Sequence, residues 1–99
     1  MTRKIDLTVN NVPIELDYYV SGYLDHVVGG IITSLRDTGE IQDLKMTIDK
    51  GRVTIDLNGS QVPLKPFPMN IITSTMSGVV APLKGVDQPM ETLEIDIQR

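Results

Sequence analysis

The chain's one histidine, His26, stands with Tyr19 and Tyr23 at spacing i, i+4, i+7, which on a helix gathers an imidazole and two phenols on one face. An imidazole titrates near neutral pH and can act as a general acid or base, so these three side chains are the candidate ligand-binding group. Catalysis needs more than that. No carboxylate, nucleophile or oxyanion donor is spaced to work with His26, and its neighbour Asp25 points about 100° away around a helix. A second set of chemically capable residues is Asp6, Asp43, Asp49, Asp56, Glu94 and Asp96, whose oxygens are of the type that binds calcium or magnesium. They alternate with Lys45, Thr47, Arg52 and Thr54, the composition of a solvated sheet face, and no EF-hand spacing occurs, so no metal is expected. Phosphate-loop, dinucleotide and G-x-S-x-G patterns are absent, and Gly29-Gly30 falls in mid-helix rather than at a strand-to-helix turn. The sequence therefore names no catalytic residue and no cofactor, and leans away from an enzyme.

The elements that must carry these residues are legible from hydrophobic period. Lys4–Val9 alternates Ile5, Leu7 and Val9 inward, as a half-buried strand does. Asn10-Asn11 supplies two residues that tolerate positive φ, the requirement of a tight primed hairpin turn. With those two as the loop, Leu7 faces Ile14 and Ile5 faces Leu16 across a second strand, Val12–Leu16. Asp17 is placed as the N-cap of a helix over Tyr18–Arg36 whose apolar stripe is Val20, Tyr23, Leu24, Val27, Val28, Ile31, Ile32 and Leu35. Gly22, Gly29 and Gly30 each weaken it by about 1 kcal/mol relative to alanine, which close approach of another backbone would offset. After a stop at Asp37-Thr38-Gly39, a strand at Asp43–Ile48 turns at Lys50-Gly51 into Arg52–Leu57, and Asn58-Gly59 turns that into Gln61–Leu64. A second helix is expected from Pro68 or Met69, with Met69, Ile72, Met76, Val79, Val80 and Leu83 buried and Pro82 ending it. Thr92–Ile97 alternates as a last strand.

Sliding the chain on itself by 48 residues lays Ile5, Leu7 and Val9 on Val53, Ile55 and Leu57, Asn10-Asn11 on Asn58-Gly59, and the first helix on Pro66–Lys84; one added residue brings Leu44, Met46 and Ile48 onto Leu93, Ile95 and Ile97. The expected fold is α+β: two ββαβ repeats, about 3–49 and 52–99, an internal duplication within one domain spanning 1–99. If a pseudo-twofold relates them, adjacency of the third and fourth strands implies adjacency of the sixth and first. Antiparallel sheets then mix both repeats, as two three-stranded sheets packed with two helices. The alternative is a ferredoxin-like βαββαβ sandwich with extra edge strands.

Gly22, His26, Gly29, Gly30 and Thr33 line a small, nearly uncharged side of the first helix, and Asn70, Ser74, Ser77, Gly78 and Ala81 line the matching side of the second. Between Pro66 and Leu83 no residue is charged. These faces either pack the helices on each other or present a patch to another subunit. Nine basic residues against thirteen acidic ones leave a net charge of −4, the wrong sign for nucleic acid or anionic membrane as main partner. Asp25, His26, Arg36, Asn70 and Pro82 argue against a membrane span. The chain has no cysteine and its first residues lack a secretory pattern, which fits a cytoplasmic location. The functional expectation is a non-enzymatic protein-interaction or self-associating module. Its alternative is a small-ligand binder or minor enzyme with a pocket near Tyr19, Tyr23 and His26.

Overall fold

The computed structural model describes residues 4–35 and 41–99. In chain order these form β1 (Lys4–Val9), β2 (Val12–Ile14), α1 (Tyr18–Leu35), β3 (Asp43–Asp49), β4 (Arg52–Leu57), β5 (Ser60–Val62), α2 (Pro66–Val80) and β6 (Thr92–Gln98). All strand pairs are antiparallel, and they build one open sheet in the order β2-β1-β6-β3-β4-β5.

Alternation decides the layers. Leu7, Val9, Leu44, Met46, Ile48, Val53, Ile55, Leu57, Leu93, Ile95 and Ile97 are buried, while the residues between them are exposed or half-buried. One face of the sheet is therefore apolar, and the two helices cover it with Leu24, Val28 and Ile32 from α1 and Ile72, Met76 and Val80 from α2. The other face is open. The result is a two-layer slab of 35 × 33 × 18 Å.

The adjacency of β6 and β1 expected from the sequence is present, with Lys4 opposite Gln98 and Val9 opposite Leu93. The two separate three-stranded sheets are not. β6 also pairs with β3 along its whole length, Asp43 opposite Gln98 through Asp49 opposite Thr92, and fuses them into one sheet. The ferredoxin-like alternative shares with this structure a single open sheet covered on one face by both helices, with β2 and β5 as added edge strands. Register follows a pattern: moving β1 and β2 forward 48 residues and β6 back 49 turns Leu7↔Ile14 into Ile55↔Val62 and Lys4↔Gln98 into Arg52↔Asp49, both of which are observed pairs. Under the same operation the β3–β6 ladder maps onto itself about Met46↔Ile95, two fully buried side chains at the centre of the sheet.

The turns behave as their residues dictate. Asn10 and Asn11 have φ of 51° and 65°, and Asn58 and Gly59 have 50° and 86°, the left-handed pairs that a two-residue hairpin loop with the native twist requires. The Asp17 carboxylate accepts from the Val20 N–H at 2.8 Å, the capping bond expected of it. Several boundaries differ from the sequence reading. The second and fifth strands stop at Ile14 and Val62, short of the expected ends at Leu16 and Leu64, so Ile5–Leu16 is not a ladder pair. α2 begins at Pro66, earlier than expected, because both prolines fit in a first turn where no N–H is needed. It ends at Val80, just ahead of Pro82. The expected stop of α1 at Asp37-Thr38-Gly39, and Arg36 before it, lie outside the described residues.

Candidate functional site

The candidate residues fall on a helical layer whose two sides are chemically unlike. Opposite the buried stripe of α1 lie Tyr19, Tyr23, His26, Gly30 and Thr33; opposite that of α2 lie Phe67, Ile71, Ser74, Gly78 and Ala81. Every one of these ten residues is exposed. Each set runs at spacing four, three, four, three, the period of a helix seam that meets another helix. The only charged side chain in α1 is Asp25, which is buried, and α2 has none. Charge sits instead on the open sheet face and the turns.

Large apolar groups on this outer face are uncovered. Tyr18 is 95 % exposed, Tyr19 74 %, Tyr23 50 %, Phe67 71 % and Ile71 50 %; Val12 on the edge strand is the other large apolar residue so exposed among the described residues. Sequence reading put Tyr23 in the buried stripe of α1, but it lies at the rim of the exposed side. Its ring tilts against Tyr19 with centroids 6.3 Å apart. His26 is also exposed; its Nδ1–H donates to the Gly22 carbonyl at 2.7 Å, which fixes the tautomer and leaves Nε2 with no bond among the described residues. Tyr18, Tyr19, Gly22, Tyr23, His26 and Val27 together line a shallow, open depression. No carboxylate or nucleophile enters it.

The small residues expected at an interface divide between two positions. Gly30, Thr33, Asn70, Ser74, Gly78 and Ala81 are exposed, and a Cβ added at Gly30 or Gly78 would meet nothing within 4 Å. Gly22, Gly29 and Ser77 are half-buried on the flank nearer the sheet. The helices thus do not pack on each other through Gly30 and Gly78. Gly29 makes room for a side chain rather than a backbone: a Cβ there would lie 3.1 Å from Arg99 Nη2.

That arginine marks an interaction the sequence reading missed. Arg99 Nε and Nη2 donate to Asp25 Oδ1 at 2.9 and 2.8 Å, tying the end of β6 to the flank of α1. Asp25 is 3 % exposed, so its carboxylate is buried, while the Arg99 side chain that meets it keeps contact with solvent. The signal was present as a lone acid in a helix otherwise free of charge. At the position matching Asp25 in α2 stands Thr73, whose Oγ1 is buried without a hydrogen-bond partner.

The acidic residues singled out on the strands do share the open sheet face, where Asp6 stands directly opposite Asp96. Among the described residues no group of three or more His, Asp or Glu is arranged to hold a metal ion. Lys45 Nζ lies 3.1 Å from Glu94 Oε1. The Glu94 carboxylate, with Asp96 and Asp56 behind it, raises the Lys45 ammonium above its ordinary value. No described helix is long and apolar enough to cross a membrane.

No family model, curated protein or solved structure matches this chain. What defines it is an α+β slab with a charged open sheet on one side and an uncharged, partly aromatic helical layer on the other.

Proposed function

We propose that the chain is a non-enzymatic protein-interaction module that docks through the outer side of its helical layer. One observation carries the reading: of the six exposed large apolar side chains among the described residues, five lie on α1 and α2, whose outer side bears no acid or base other than His26. A solvated helix surface is ordinarily charged, and an uncharged one with uncovered aromatics is the composition of a contact surface. The same reading holds the chain to be an internal duplication. Support comes from the offset that relates one set of strand registers to the other, and from Tyr19 and Phe67, and Tyr23 and Ile71, occupying matching positions 48 residues apart.

A second reading rests on the depression lined by Tyr18, Tyr19, Gly22, Tyr23, His26 and Val27, which would take a small, mainly apolar ligand. Its openness favours the first reading, since a pocket that binds a small molecule ordinarily encloses most of its surface. A photo-crosslinking amino acid placed at Tyr23, and separately at Thr54 on the open sheet face, tests the proposal in the cell that makes the protein. Protein adducts are expected from position 23 and not from position 54. Adducts only from 54, or none from either, would overturn it.

A further inference from the structure

Resting on that reading, we propose that the occupant of the helical face is a second copy of this chain, in a twofold dimer where the bulky first half of each outer seam seats in the hollow second half of the partner's. The seams are graded in size. Along α1 the residues run Tyr19, Tyr23, His26, Gly30, Thr33, and along α2 they run Phe67, Ile71, Ser74, Gly78, Ala81. When one such helix crosses another antiparallel, the large side chains at one end fall opposite the small ones at the other, with His26 or Ser74 at the crossing, which is how knobs find holes in a helix seam. Gly30 and Gly78 are the deepest of those holes, with open space where a Cβ would stand. Two glycines in exposed helix positions weaken both helices for no purpose within the chain. A twofold contact gives them one.

Charge points the same way. A chain of net charge −4 repels its own copies, and most of its surface opposes self-association. The helical face lets two copies meet without bringing ionised groups together. The other route to self-association, pairing of sheet edges, is blunted: β2 and β5 are three residues each, β2 contains Pro13, which lacks an N–H, and Pro63 directly follows β5. The slab face measures 35 × 33 Å, more than the roughly 800 Å² per partner that a stable complex covers. An isologous contact requires a self-complementary patch, and a seam with a bulky end and a hollow end is complementary to a reversed copy of itself.

Sedimentation equilibrium on the purified full chain, from nanomolar to high micromolar, tests this. The expected result is a reversible dimer of twice 10.9 kDa. Gly30→Leu and Gly78→Leu fill the hollows while raising helix propensity, so the variants fold, as an unchanged or raised monomer Tm reports. Each is expected to weaken the dimer at least tenfold. Adding Tyr23→Ala or Ile71→Ala to a filled hollow should recover part of that loss. A 10.9 kDa monomer at all concentrations overturns the proposal, and so does a dimer indifferent to both glycine variants. If the monomer result accompanies crosslinks to other proteins at position 23, the interaction module stands and only its occupant is wrong.

Discussion

Asn10 uses nearly every hydrogen-bonding atom it has to hold two distant parts of the chain together. Its N–H donates to the Thr92 carbonyl, its Oδ1 accepts from the N–H groups of Glu91 and Thr92, and its Nδ2 donates to the carbonyls of Asp87 and Pro89. Asn58 does the matching work at the start of β3, donating to Asp43 and accepting from Gln42 and Asp43. Both residues also sit at positive φ, so glycine keeps the turn and removes only the side-chain clasp. At about 1 kcal/mol for each side-chain hydrogen bond lost, Asn10→Gly is therefore expected to cost about 2–4 kcal/mol in chemical denaturation and Asn58→Gly about 2 kcal/mol. Asn11→Gly, at an exposed site in the same turn, should change stability by less than about 0.5 kcal/mol. Equal losses at positions 10 and 11 would show that the turn alone matters. The sequence disclosed the turn and not the clasp, because backbone preference is local whereas the partners of Asn10 lie about eighty positions away.

Among the elements, strands and helices were legible wherever apolar period was unbroken: Leu7, Val9 and Ile14 fell on one face because alternation leaves no other choice. Strand ends were not, since pairing beyond Ile14 and Val62 depends on where the following helix draws the chain away from the sheet. Which side of α1 would hold Tyr23 was misread for a related reason: a tyrosine suits either the rim or the core, and only the position of the sheet decides. The central pair of strands, β3 and β6, carries the Lys45–Glu94 ion pair on its open face. Because that pair raises the Lys45 value in the folded chain, its stabilisation is present in full below the ordinary lysine value of about 10.4 and is lost as pH climbs through the folded-state value. Lys45→Met is accordingly expected to shift stability by a constant amount from roughly pH 6 to 9, and the gap to narrow above about pH 10. A gap that instead changed across the lower window, followed by denaturant titration at each pH, would assign the effect to the carboxylates.

At the scale of the whole molecule, the slab is organised about its centre, where Met46 and Ile95 meet between β3 and β6. The adjacency of the first and last strands followed from the sequence once matching halves were assumed; the fusion of everything into a single sheet did not, because nothing in either half announces that its last strand will pair with that of the other. That adjacency puts Lys4 beside Gln98 in the same geometry that puts Asp49 beside Arg52, where two residues suffice to close a hairpin. Continuity of the backbone is thus interchangeable between the two places. A circularly permuted chain that starts at Arg52, joins Arg99 to Lys4 through a short glycine-containing linker and finishes at Lys50 should fold to the same sheet, with a matching amide NMR fingerprint away from the new junction. Such a permutant that stayed unfolded would mean that the Lys50-Gly51 turn must form early for the rest to assemble, and that the two ends of the slab, alike in shape, differ in the order they are built.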